Sequence, residues 1–153
     1  MTANQLDGGN AGSESDRTNA IHAFVFRYCR ARVGRVGRSF AVADDLARDV
    51  SLAVLAALPR GGDGGRPVLA FVYAIASSRV DQATGGKTWA GGGPELRRLL
   101  ATLPETQREV VLLRMILGLS AEETAEAVGM SSSAVRLTQH RALQRLRGSL
   151  GAE

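Results

Sequence analysis

Cysteine is almost absent from this chain of 153 residues: Cys29 stands alone, so no disulfide can close within it, which fits a reducing cytosol. Histidine is nearly as scarce, with His22 and His140 only, and no glycine-rich loop follows a strand into a helix. Without a nucleophile and base, a cluster of ligands or a phosphate cradle, the expectation is no enzyme, no metal, no cofactor and no small-molecule substrate. No run approaches the 18 or so apolar residues of a membrane span, and the start lacks a charged-then-apolar leader. The expectation is therefore a soluble, cytoplasmic protein that is not inserted in a membrane.

What is present points to helices and to a polyanion. Hydrophobic residues make up 44% of the chain, enough for a core, and the net charge of +4 agrees with a nucleic-acid partner. Residues 103–150, LPETQREVVLLRMILGLSAEETAEAVGMSSSAVRLTQHRALQRLRGSL, carry the strongest local signals. Ser120 with Glu123 three positions on predicts a capping box, and Gly129 predicts a left-handed stop. A short helix over 121–128, that stop, a cap among Ser131, Ser132 and Ser133 and a longer helix over about 132–150 together make a helix-turn-helix. Val135, Leu143, Leu146 and Leu150 fall near one face of the second helix. From 131 to 150 there are four arginines (Arg136, Arg141, Arg145, Arg147) and no acid, whereas the preceding helix holds Glu122, Glu123 and Glu126. Basic charge therefore gathers on the candidate reading helix. It can also serve merely to complement a helix C-terminus and keep a surface soluble.

The stretch resembles region 4, the promoter-binding domain of bacterial sigma factors of the sigma-70 family, in particular the extracytoplasmic function (ECF) group. LP…QREVVLLR, GLSAEETAEAVG and SSSAVRLTQHRALQRL follow that pattern in order and spacing. Within the group the chain looks most like the actinobacterial sigma-D type. The resemblance implies a polymerase-binding region 2 upstream, a minus-35 contact through the second helix, and an anti-sigma factor as a further partner.

Taken in order, residues 1–16 are rich in Gly, Asn, Ser and acids and read as a disordered tail. A first helix over about 18–36 carries the stripe Ile21, Phe24, Val25, Tyr28, Cys29 and Val33. Its flanks hold Arg27, Arg30, Arg32, Arg35 and Arg38, either a contact for nucleic acid or an acidic partner or a solvated basic face. The second helix, 41–58, is expected to bury Leu46, Val50, Ala53, Val54 and Ala57. Asp44, Asp45 and Asp49 near its start suit the positive end of the helix macrodipole. ADDLARDV is similar to the region 2.2 element, and the resemblance makes Asp44, Asp45, Leu46 and Asp49 contacts for core RNA polymerase. PRGGDGG, 59–65, predicts a mobile loop.

Pro67 suits the first turn of a third helix over about 67–83, with Leu69, Val72, Ala76 and Val80 on one face. Phe71, Tyr73 and Arg79 suit either core packing or stacking on single-stranded bases, and the resemblance to regions 2.3 and 2.4 assigns them to promoter melting. The chain departs from the family where ATGGKTWAGGGP replaces an arginine-rich helix end and a long linker, leaving Arg79 and Lys87. That connector, about 84–93, spans on the order of 15–20 Å as a flexible tether. Trp89 in it is an anchor on a neighbouring domain or a partner contact.

These readings predict an all-α protein: a tail over 1–16, a three-helix domain over 17–83, a glycine-rich linker over 84–93 and a helix-turn-helix domain over 94–151. They predict a sigma factor that binds core polymerase and promoter DNA. Ser132, Ser133, Arg136, Thr138, Gln139, His140 and Arg141 are the expected DNA contacts, with Arg136 offering its fork to a guanine edge. Two alternatives remain: a one-component helix-turn-helix regulator, and a degenerate sigma-like adaptor held by an anti-sigma partner.

Overall fold

The computed structural model describes residues 4–58, 68–86 and 93–151, with side chains from residue 12 onward. Among them every regular element is helical: α1 (Asn4–Val33), α2 (Ala41–Ala57), α3 (Val68–Thr84), α4 (Gly93–Ala101), α5 (Glu105–Val111) with a π-wound turn (Leu112–Ile116), α6 (Ala121–Val128) and α7 (Ser132–Gly151). The expected loop over 59–65, Pro67, Lys87 and Trp89 lie outside the described residues.

The first helix corrects the expected tail. α1 is helical from Asn4, well before residue 18, although residues 12–17 are exposed. The extension rests on the backbone ladder, helped by the Thr18 hydroxyl donating to the Glu14 carbonyl at 2.9 Å, and not on burial. From Ile21 the apolar stripe takes over: Ile21, Val25, Tyr28 and Cys29 are buried. Burial pushes the Cys29 thiol up to about 12, so this cysteine is a core residue, not a reactive group. Gly34, at φ 73°, ends the helix, and Val36 pairs with Ser39 across a tight turn. Phe40 then enters α2 between two guanidinium groups, Arg30 at 4.7 Å and Arg35 at 4.9 Å from its ring centre.

α2 buries Ala43, Ala47, Val50, Ser51 and Val54, while Leu46 and Ala53 are half-buried and Ala57 is exposed. At 100° per residue the buried stripe is rotated by about 60° from the one expected. The small residues Ala43, Ala47 and Ser51 allow α1 to approach closely, and that outweighs the larger side chain of Leu46. α3 behaves as expected, burying Val72, Ala76 and Val80 with Leu69 packed against the core.

One further expectation changes in the second half, beside an irregular turn. The Leu117 N–H reaches back five residues to the Leu112 carbonyl at 2.9 Å, so one turn is π-wound. That widening returns Leu117 to the face of Leu112 and Leu113 and swings Met115, apolar and set in an apolar run, out to solvent. Leu150, expected on the apolar face of α7, is also exposed, because α7 runs on past the helices that cover Val135 and Ala142.

The two helical units share one continuous core, which runs from Val25 of α1 and Val72 of α3 to Leu113 and Ala127. A polar junction accompanies it. Arg32 is only 5% exposed; it donates to the Tyr28 hydroxyl at 2.6 Å, to Glu109 Oε1 of α5 at 3.1 Å and to Asp81 Oδ1 of α3 at 2.6 Å. The Tyr28 hydroxyl donates in turn to Glu109 Oε1 at 3.2 Å, and the Tyr73 ring meets Tyr28 edge-on at 5.7 Å. Arg27 donates to the carbonyls of Ile116 and Leu117. Four of the five arginines read as a basic flank are thus bound within the fold: Arg27 and Arg32 at this junction, Arg30 and Arg35 on Phe40.

Candidate nucleic-acid interface

The reading helix is built by local chemistry. The Ser120 side chain accepts from the Glu123 N–H at 3.0 Å, and Glu123 Oε1 accepts from the Ser120 N–H at 2.9 Å, which closes the capping box. Gly129 takes φ 72°, and the N–H groups of Gly129 and Met130 both reach the Ala125 carbonyl. Ser131 caps α7 through the Ala134 N–H at 3.1 Å, and the first-turn amides before it suit an anion. Below the turn, Val110, Ala121, Ala125 and Val135 form a small core of their own, lined by Val128 and Met130.

Which side chains share the outer face of α7 follows from that anchor. Arg136 and Ser133 are exposed, as are His140 and Arg141, while Ser132 and Gln139 are half-buried. At 100° per residue Ser132, Ser133, Gln139 and His140 lie within about 60° of Arg136. Arg141, also exposed, lies about 140° from Arg136 on another face of the helix. Thr138 departs from the expected set: it is half-buried and lies about 160° from Arg136, about 40° from the buried Ala142. Gln139 is held by the π-wound turn after α5, its Oε1 accepting from Arg114 Nε at 2.9 Å, while Arg114 Nη1 also donates to the Leu119 carbonyl at 2.8 Å. Arg114 therefore fixes how α7 sits on α5, a part that its place in an apolar run did not reveal.

Arg136 has a partner that sequence reasoning missed. Its Nη2 donates to Glu122 Oε1 of α6 at 2.6 Å, with the two side chains 56% and 66% exposed. The Glu122 carboxyl is held below the usual carboxylate range, first by a backbone N–H and then by the Arg136 guanidinium.

On α2 the acidic residues divide. Asp44 is engaged inside the fold by a two-pronged pair with Arg30, at 2.7 and 2.9 Å, and Leu46 packs against the core. Asp45 and Asp49 face solvent, Asp45 holding Arg48 at 2.8 Å. The structure adds two residues to that outer face: Val42 and Leu52, the latter 67% exposed. They lie within about 60° of Asp49 around the helix, and their position off the buried stripe was the signal available in the sequence.

On α3 the expected stacking group does not come together. Phe71 packs against the core, Tyr73 lies against Tyr28, and only Arg79 is exposed. Burial pushes the Tyr73 hydroxyl well above the usual tyrosine range, with Glu109 adding to the shift. No helix among the described residues is long and apolar enough to cross a membrane.

Comparison with known proteins agrees with this geometry. Residues 94–146 match the family model for Sigma-70, region 4. The ECF RNA polymerase sigma factor SigD of Mycobacterium tuberculosis is 45% identical over 169 aligned residues, spanning 94% of this chain and 80% of that protein. The ECF RNA polymerase sigma factor ShbA of Streptomyces griseus is 42% identical, spanning 91% of this chain and 88% of its own. Among solved structures, CnrH in complex with the cytosolic domain of CnrY superposes with a TM-score of 0.59 at 24% identity, covering 93% of this chain and 88% of that one, a likeness of fold. With identity of this order sustained over most of both chains, and a reading helix of this build, the protein belongs to the ECF family of RNA polymerase sigma factors.

Proposed function

We infer that this ECF sigma factor, a non-catalytic initiation factor, engages core RNA polymerase through the outer face of α2 and reads the minus-35 element through α7. The reading divides the chain into a polymerase-binding unit over 17–83 and a DNA-reading unit over 94–151, and places the protein in the cytoplasm with its polymerase. The observation that carries it is the outer face of α7. Arg136, Ser133 and His140 stand exposed on a helix whose opposite side is fixed by Val135 and Ala142. Ser132 and Ser133 contact phosphates or base edges beside Arg136, while Gln139, His140 and Arg141 hold the DNA backbone. Thr138 takes a packing part.

The polymerase face consists of Asp45 and Asp49 with the apolar Val42 and Leu52, a mixture suited to a basic and apolar surface. Asp44 and Leu46 support it from within. Phe71 and Tyr73 can stack on melted bases only if they leave the core and the Tyr28 ring. Exposure of α2 and α7 in one structure supports the sigma reading over a regulator that works without polymerase, because such a regulator has no use for the α2 face.

The test is run-off transcription with reconstituted holoenzyme on a promoter library: promoter-specific starts are expected, and random initiation indistinguishable from core alone would overturn the reading. Capture of core polymerase by Leu52→Asp is expected to fall at least tenfold, and by Asp44→Asn, which only loosens the pair with Arg30 behind that face, by less. Equal capture by Leu52→Asp and the parent protein would remove α2 from the interface. Arg136→Ala is expected to weaken binding to the recovered promoter by about 5- to 150-fold, the worth of about 1–3 kcal/mol for a two-pronged guanine contact, with a much smaller loss on random duplex. An equal loss on both would make Arg136 a phosphate contact.

A further inference from the structure

We propose that Glu122 is a specificity-determining residue: it holds the Arg136 guanidinium away from phosphates and keeps it presented to a base edge. The inference rests on the reading of Arg136 as the base contact. The neighbouring acid, Glu123, closes the capping box, while Glu122 accepts a backbone N–H at the helix start and has its other contact outside the helix. The Glu122 carboxylate reaches across the turn to Arg136 Nη2 at 2.6 Å. Both side chains are more than half exposed, and an exposed ion pair contributes little to stability, so the contact has little worth to the fold itself.

Its consequence lies in binding. An unpaired arginine on the tip of a basic helix is attracted by every phosphate, and phosphate contacts supply affinity without sequence information. A carboxylate within hydrogen-bonding distance cancels that charge and repels an approaching phosphate. A guanidinium has five N–H donors, of which Glu122 engages one, so the fork can still meet the O6 and N7 of guanine. Glu122 thus penalises the wrong contact more than the right one.

The experiment uses holoenzyme reconstituted with the full chain, a promoter duplex recovered by run-off transcription, and the same duplex with its minus-35 segment scrambled. Glu122→Gln is expected to tighten binding to the scrambled duplex by about 3- to 10-fold while changing promoter binding little, and to steepen the salt dependence on the scrambled duplex by about one phosphate contact. Glu126→Gln removes the same charge from an exposed position four residues on. It is expected to leave the promoter-to-scrambled ratio unchanged. In an Arg136→Ala background, Glu122→Gln is expected to have no further effect on that ratio.

Equal effects of Glu122→Gln and Glu126→Gln on the ratio, or an effect of Glu122→Gln that persists without Arg136, would overturn the proposal. If Arg136→Ala lowers the ratio but Glu122→Gln does not, only the part given to Glu122 falls. If Arg136→Ala leaves the ratio unchanged, the reading of Arg136 falls and this proposal with it.

Discussion

Arg32→Ala is expected to lower the stability of the protein by about 3–5 kcal/mol, the cost of breaking a buried ion pair from one side. In a chain of this length that corresponds to a fall in melting temperature of about 6–20 °C. The reason is arithmetic at the junction. Arg32 satisfies Asp81, Glu109 and the Tyr28 hydroxyl together, and its removal leaves Glu109 buried beside hydroxyls alone. Urea unfolding followed by helical signal measures the change, and a loss below about 1 kcal/mol would mean that water reaches the junction and replaces the guanidinium.

Glu109→Gln provides the companion measurement. Burial pushes the Glu109 carboxyl above the usual range, against the opposing pull of Arg32 and the tyrosine hydroxyls. A carboxyl whose folded-state pKa is raised binds a proton more readily in the folded protein than in the unfolded one. Between the ordinary glutamate range and the raised value, its contribution therefore falls as pH rises and recovers as pH drops. The glutamine variant removes that slope and is expected to be much less costly than Arg32→Ala, because the amide keeps an acceptor for Arg32 and Tyr28. A slope unchanged in the variant would assign the pH dependence to other groups.

Val135→Asp is expected to abolish DNA binding of every kind. Val135 is fully buried in a core of four residues, and an unpaired carboxylate there costs several kcal/mol against a packing unit with little apolar area to spare. The α6–α7 pair then loses its fixed geometry, so promoter and random duplex both lose affinity. Val135→Ala, which only removes methyl groups, is expected to cost about 2–3 kcal/mol from transfer and cavity terms together. The contrast with Arg136→Ala separates frame from reader: Val135 sets where α7 sits, and Arg136 sets which sequence it prefers. Retention of random-duplex binding by Val135→Asp would show that basic charge alone, without the helix pair, accounts for it.

The helix-turn-helix was legible from residues alone because each of its devices acts over a few positions. A serine and a glutamate three apart, a glycine at the stop and a serine at the next cap satisfy backbone groups locally, with little reference to the rest of the chain. Apolar spacing also predicts the helices of the first unit, but it starts α1 near residue 18 where the helix begins at Asn4, and it places the stripe of α2 about 60° off because its neighbour, not its own hydrophobicity, selects the small residues.

What tertiary structure alone decided concerns charge and direction. Arg32 and Arg38 look alike along the chain, yet Arg32 lies in the interior because Glu109, seventy-seven positions away, and Asp81 converge on it. Thr138 turns away from Arg136 and Leu52 turns outward, and Arg136 meets Glu122 across the turn, because the packing of α7 on α5 and α6, and of α2 on α1, sets the rotation of each helix. Where a side-chain cap and a glycine stop are present, as in α6, local sequence determines where a helix starts and stops. Which of its faces remains for a partner depends on groups distant in sequence, whose convergence no short-range pattern encodes.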